Sequence, residues 1–418
     1  MDANQDQGAK ELLQGQAQLY KLMFSHLSSM SLKCAIELGI ADIIHSHGRA
    51  ITLSELVSAL DIQPTKTTGL FRLMRLLVHS SCFNKTKVNG QEEAYGLTAA
   101  STLLIKDKPY CMSPTVSAFV DPLFVAPFQS LSIWFKGTEL TLWETVHGIT
   151  FWEFMNQNPA INQRFNEAMA SDSEIMTSFV VKSECKQIFE GLGLLVDVGG
   201  GDGSFSRIIC EAFPGIKCTV LDLPHVVANL PEADNLKYIA GDMFQFIPPA
   251  DAFLFKCGCP HFFKCRFEVY HIGKGNQQSV GSTGNGVPLS GLTGFAPQFE
   301  LQGSRLYWEN LCLSVRAGTS SLGCGDEDGL KILKKRREAI ASNGERGKVI
   351  IIDIVINAEE EGHELTETKF LFDIVMSVNA TGKERTENEW AKLFFDAGFS
   401  HYKITPIFGM RSLIEVYP

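Results

Sequence analysis

The chain has 418 residues, 45% hydrophobic and 20% charged, with a net charge of −10. That length suits two domains with sizeable cores, and the acidic balance argues against a nucleic-acid surface. The start, MDANQDQGAKELL, lacks the basic and apolar regions of a signal peptide, no run reaches the roughly 18 apolar residues of a membrane span, and the eleven scattered cysteines then read as reduced thiols of a cytoplasmic protein.

From Ala9 to about His47 the apolar residues recur at helical spacing, with Gly39 as a helix stop. Thr52 or Ser54 can cap a short helix, and a second helix carries Leu70, Leu73, Leu76 and Leu77 on one face. Residues from Cys82 to Leu97 read as a hairpin around Asn89-Gly90. Helix, turn, helix, hairpin is a winged-helix pattern. Lys66, Arg72 and Arg75 on the second helix raise a DNA-binding reading, which the acidic balance opposes. Residues from about Pro114 to Glu190 are mostly helical and aromatic-rich, chiefly core.

Residues 194–205, LLVDVGGGDGSF, organise the rest. A buried strand runs into a glycine turn and then a helix, which Pro214-Gly215 stops. Such a turn cradles a nucleotide, because glycines admit a ligand to the backbone and the helix start offers N–H groups. The dinucleotide fingerprint needs a glycine where Ser204 stands, which argues against a nicotinamide oxidoreductase. Asp197 and Asp202 bracket the turn, awkward beside a pyrophosphate but suited to a cation such as the sulfonium of S-adenosylmethionine. The next strand ends at Asp222, about twenty residues on, where an acid can take ribose hydroxyls. A third, Leu236 to Ala240, ends in Gly241-Asp242-Met243, suited to an adenine edge and face. Asp251 to Phe255 is a fourth strand and Lys348 to Ile356 a fifth, the latter nearly all apolar, as at the buried centre of a parallel sheet. A helix at 327–341 precedes the fifth strand, helices at 371–378 and 387–397 follow it, and the chain ends in an antiparallel hairpin. Alternating strands and helices imply a doubly wound α/β sheet.

VDVGGGDGSFSRII, VLDLPHVV and YIAGDMF resemble the plant small-molecule O-methyltransferases, especially the isoflavonoid and stilbene O-methyltransferases of legumes. The resemblance runs from about Leu12 to Pro418, except for a block after Lys256. It implies a class I methyltransferase fold with a Rossmann-like sheet in residues 111–418. Residues 1–110 become a winged-helix-like dimerisation domain of a homodimer. The cofactor is S-adenosyl-L-methionine, the substrate is a phenolic metabolite of the isoflavonoid, pterocarpan or stilbene class, and neither nucleic acid nor membrane is a partner. The donor-binding residues it implies are Asp197, Gly199, Gly201, Asp222, Asp242, Met243 and Lys256, with Met169-Ala170-Ser171-Asp172-Ser173 beside the donor.

A phenol, with a pKa of about 10, needs a base to be nucleophilic at neutral pH, and histidine suits that task. The resemblance supplies the orienting acids at Asp353 and Glu384. It puts the base four residues after Lys256, where Pro260 stands, and His261 is one step late. His261 is the nearest candidate by position, with His271 behind it. A segment at about 257–324, rich in Gly and Ser, resembles no part of the family and reads as an inserted or unspliced stretch rather than a domain. A catalytically impaired dimeric binding protein is the alternative. Cys257, Cys259, His261, Cys265 and His271 could ligate zinc, but their spacing matches no common structural site.

Overall fold

The computed structural model describes residues 2–256 and 326–418, apart from positions 89, 91, 183, 229, 343–346, 358–360, 381 and 408. The described residues all lie in one compact unit.

Three helices, Asp2–Phe24, His26–Glu37 and Ile40–His47, open the chain. Gly39 sits between the last two at φ 66°, a conformation that a side chain disfavours. The Leu53–Ala59 helix starts on a capping box: Thr52 Oγ1 accepts from Glu55 N, while Glu55 accepts from Thr52 N at 2.8 Å. Strands β1 (Ile51–Thr52), β2 (Phe83–Val88) and β3 (Glu92–Leu97) form a sheet in the order β1-β3-β2. The hairpin is therefore present, and Ile51-Thr52 adds a strand that its two-residue length hides in the sequence. Ile36, Ile40, Ile44, Leu56, Leu70, Met74 and Phe83 make the core of this part.

The aromatic stretch builds its own core. Trp143 is fully buried, with Phe151 edge-on at 5.0 Å and Phe154 at 5.2 Å. Phe165 joins it from the long Pro159–Lys182 helix. Phe135, by contrast, is 75% exposed.

The main sheet consists of β4 (Leu194–Val198), β5 (Lys217–Asp222), β6 (Leu236–Ala240), β7 (Ala252–Lys256), β8 (Lys348–Ile356), β10 (His401–Pro406) and β11 (Arg411–Tyr417), in the order β10-β11-β8-β7-β4-β5-β6. The short β9 (Arg385–Thr386) pairs with the end of β8. Strands β4 to β8 are parallel, and β11 pairs antiparallel with β8, so the sheet is doubly wound with an antiparallel edge. Alternate side chains leave opposite faces of a strand. Phe253 and Phe255 of β7 accordingly pack with Ile332, Trp390 and Phe394 on one face, and Ala252 and Leu254 with Ile209 and Leu413 on the other. Cover on both faces explains the unbroken apolar run of β8. Burying one such Ile or Phe side chain contributes about 1.5–3 kcal/mol.

Three helices lie near their expected positions: Asp326–Ser342, His363–Ala380 and Glu387–Asp396. The second is much longer than the apolar stretch suggested. The sheet order reverses between β4 and β7, and ligands of such sheets bind at the carboxyl ends beside that reversal.

Candidate active site

The turn after β4 lies at that reversal. Gly199, Gly201 and Gly203 have φ of 72°, 61° and 76°. A Cβ on Gly200 would stand 2.6 Å from the Asp197 carboxyl group. Here the turn requires glycine twice over, for backbone conformation and for close approach. The Ser204–Ala212 helix starts directly behind it.

Three strand ends bring acids to this turn. Asp222, 5% exposed, accepts from Gly201 N at 2.9 Å and from Leu223 N at 2.7 Å. A carboxylate offers about four lone-pair positions, so these two bonds orient it and leave acceptor capacity for hydroxyls. Asp242 accepts from Phe244 N at 2.9 Å and Gln245 Nε2 at 3.0 Å. Met243 is nearly buried, with its sulfur 3.9 Å from Nη2 of Arg336. Asp197, at the end of β4, takes a 2.8 Å hydrogen bond from the Ser206 hydroxyl. Burial raises its carboxyl pKa to about 7; the Ser206 bond opposes this, while Asp222 and Asp202 add to it. Asp202 accepts from the backbone N (3.0 Å) and hydroxyl (2.7 Å) of Ser204, which engages it in starting the helix. A glycine floor that a Cβ would fill and a buried, oriented carboxylate beside it fit an adenosine-bearing cation.

Lys256, at the tip of β7, donates to Asp172 at 3.0 Å and to the Ser173 hydroxyl. Arg411, first residue of β11, clamps the same Asp172 with two N–H donors at 3.2 and 2.7 Å. Burial raises the Asp172 carboxyl's pKa, but Lys256 and Arg411 outweigh it and hold it at about 2. Asp353 is buried in β8, opposite Ser412 of β11, and accepts from Ile354 N at 2.8 Å. Glu384, just before β9, is also buried. Burial, then the charges of Asp353 and Asp373, push it up to about 9 against the pull of Arg411 and Arg385. Asp373 in turn accepts from Glu384 N at 2.8 Å.

The structure thus gathers Asp197, Gly199, Gly201, Asp222, Asp242, Met243 and Lys256 at or just beyond the carboxyl ends of β4 to β7. It sets Asp353 and Glu384 within electrostatic reach of each other on the β8 side. His261 and the other candidate zinc ligands lie outside the described residues. Ser206, Asp373 and Arg411 were not foreseen. For Ser206, Asp197 nine residues before it on the other side of a glycine turn was a usable signal; for Arg411 no local signal exists.

Residues 20–107 match the O-methyltransferase dimerisation domain, and residues 128–261 and 324–400 the O-methyltransferase domain. The chain belongs to the O-methyltransferase family. The trans-resveratrol di-O-methyltransferase of Vitis vinifera is 43% identical over 410 residues, covering 98% of this chain and 97% of that protein. The isoflavone 4'-O-methyltransferase of Lotus japonicus is 43% identical over 429 residues, covering both chains fully. Among solved structures, the calicheamicin-biosynthesis methyltransferase CalO1, in its SAH-bound form, superposes with a TM-score of 0.68 at 20% identity, covering 97% of this chain and 98% of that one. Human N-acetylserotonin methyltransferase, in complex with SAM, superposes at 0.65 with 15% identity, covering 97% of each. The fold of this O-methyltransferase is therefore the class I methyltransferase fold, with a helical N-terminal dimerisation domain. No single helix among the described residues is long and apolar enough to cross a membrane.

Proposed function

We propose that this enzyme methylates a phenolic hydroxyl of a plant secondary metabolite of the isoflavonoid, pterocarpan or stilbene class. The observation that carries the reading is a glycine cradle and a buried acid pair, Asp353 and Glu384, at one end of one sheet. The names of the relatives, a resveratrol and an isoflavone O-methyltransferase, support the stilbene and isoflavonoid classes. Bound S-adenosylmethionine supplies an activated methyl group, so the protein has mainly to position and deprotonate the acceptor. Asp222 takes the ribose hydroxyls, Asp242 and Met243 the adenine, and Asp197, Gly199 and Gly201 the cradle floor. Lys256 stands at the far end of the donor. A base within reach of the phenol, His261 by position, removes its proton. Asp353 and Glu384 hold that base in the useful tautomer, and the Asp353 carboxylate stabilises its charged form, as a carboxylate does behind a catalytic histidine.

The enzyme works as a cytoplasmic homodimer in this reading. Support comes from the dimerisation domain, the free cysteines among the described residues, and Leu12, Leu13, Leu19 and Leu22, all more than 60% exposed on one N-terminal helix. A second reading, a dimeric binding protein with impaired catalysis, has its own support: the family match breaks at 262–323, directly after His261. Incubation with labelled methyl donor and a panel of isoflavones, pterocarpans and stilbenes tests both. Labelled product is expected; donor binding without any product supports the impaired reading instead.

A further inference from the structure

The donor-side lysine is joined to the buried acid pair by a row of charged and polar side chains. Lys256 meets Asp172, Asp172 meets Arg411, and the charge of Arg411 favours ionisation of Glu384, which the charge of Asp353 opposes. Three separate elements contribute: the tip of β7, the long Pro159–Lys182 helix and the start of β11. The side chains of Lys256, Asp172 and Arg411 are only 10%, 15% and 5% exposed. The single negative charge of Asp172 is divided between two cations, one of them bidentate, so it neutralises Lys256 only in part. The charge of Lys256 also reaches Asp197 beneath the glycine turn.

Strand order fixes which part of a donor lies near this lysine. With ribose at the end of β5 and adenine beyond β6, the rest of the molecule runs over β4 toward β7. That part of S-adenosylmethionine is the aminocarboxypropyl chain, which ends in a carboxylate. Resting on the donor reading above, we infer that Asp172 and Arg411 are a positioning pair that aims a partly neutralised Lys256 at the donor carboxylate. Without Arg411, Asp172 would close fully on Lys256 and its charge would be spent within the protein.

Two ligands separate this role from mere scaffolding. S-adenosylhomocysteine carries the aminocarboxypropyl chain, whereas 5'-methylthioadenosine keeps the adenosine and thioether without it. Calorimetry on the full chain and on Arg411→Met, Lys256→Met and the double variant measures both. Arg411→Met should weaken S-adenosylhomocysteine about tenfold, the loss of one charge-assisted contact, and leave methylthioadenosine within about twofold. Because Arg411 acts through Lys256, it should cost nothing further once Lys256→Met is present. Additive losses, or equal weakening of both ligands, overturn the inference while leaving donor binding intact. If Arg411→Met does not fold, Arg411→Gln takes its place in the cycle under the same criteria. A native chain that binds neither ligand removes the donor reading and this inference with it.

Discussion

Asp222 does two jobs with one carboxylate, which makes its removal informative. It pins Gly201 and Leu223 by their backbone N–H groups, and it faces the place assigned to ribose. Asp222→Ala should weaken S-adenosylmethionine and S-adenosylhomocysteine alike by about 1.5–3 kcal/mol, the range for a hydrogen bond to a charged group. Unchanged affinities in calorimetry would rule out the ribose role. The titrating carboxyls give a pH profile. Asp197 and Glu384 are held above their unfolded values, at about 7 and about 9, so the folded state retains their protons. Their contribution to stability is present below the unfolded carboxyl range and is lost as pH rises through 7 and 9. Asp172, held at about 2, works the other way: its contribution is present above the unfolded range and is lost as pH falls toward 2. Melting of the ligand-free protein should therefore decline from pH 6 to 9, and Glu384→Gln should flatten the upper part of that decline. A melting temperature that rises over this range would contradict the burial of these acids in neutral form.

Whole elements were legible where a local pattern made them so. The glycine turn, β6 and β8 carry their signals within a few residues, and the structure has them where the sequence put them. Two-residue strands such as β1 and β9 form only because a longer strand offers an edge, so nothing in their own sequence announces them. The same holds for Arg411, which meets Asp172 from 239 positions away. Half of the acid pair was legible, since Asp353 interrupts an apolar strand; the neighbour that completes its surroundings, Asp373, lies on a helix without any such mark. The N-terminal helices show how structure sharpens a sequence expectation. Removing everything before Ile51 would strip Ile36, Ile40 and Ile44 from the core as well as the exposed leucines. A cut after Ser25 takes only the Asp2–Phe24 helix, whose Leu12 is 78% exposed. That shortened chain should stay folded and sediment as a monomer, whereas a stable dimer would place the interface elsewhere.

At the scale of the molecule, the segment at 257–324 follows Lys256 in the chain, where the family resemblance expects the base. The sheet forms on both sides of it, with β7 and β8 paired from Ala252↔Lys348 to Lys256↔Ile352. A long connection costs little in closure, since each doubling adds only about 0.6 kcal/mol. Catalysis is less tolerant, because a shift of about 1 Å in a reacting group can lose about a hundredfold in rate. The chain as it stands should bind the methyl donor and transfer slowly. Replacing 257–324 with a short link that sets a histidine four residues after Lys256 should raise turnover sharply with little change in donor affinity. If the unaltered chain already turns over at an ordinary enzymatic rate, and His261→Ala abolishes it, then His261 serves as the base in spite of the segment.

Both ends of that connection are moored to other parts of the fold. Lys256 is tied to Asp172 on one side, and Asp326 to Lys383 and Arg385 on the other. Each half of the sheet thus has its own fastening, independent of the chain that joins them. Two polypeptides, one ending just after Lys256 and one beginning just before Asp326, should therefore reconstitute when expressed together. Strand β8 would seat itself between β7 and β11 as an intermolecular partner. Co-purification of the two fragments, with donor affinity close to that of the intact chain, is the expected result. Fragments that never associate would mean that covalent continuity through 257–325 is indispensable to assembly.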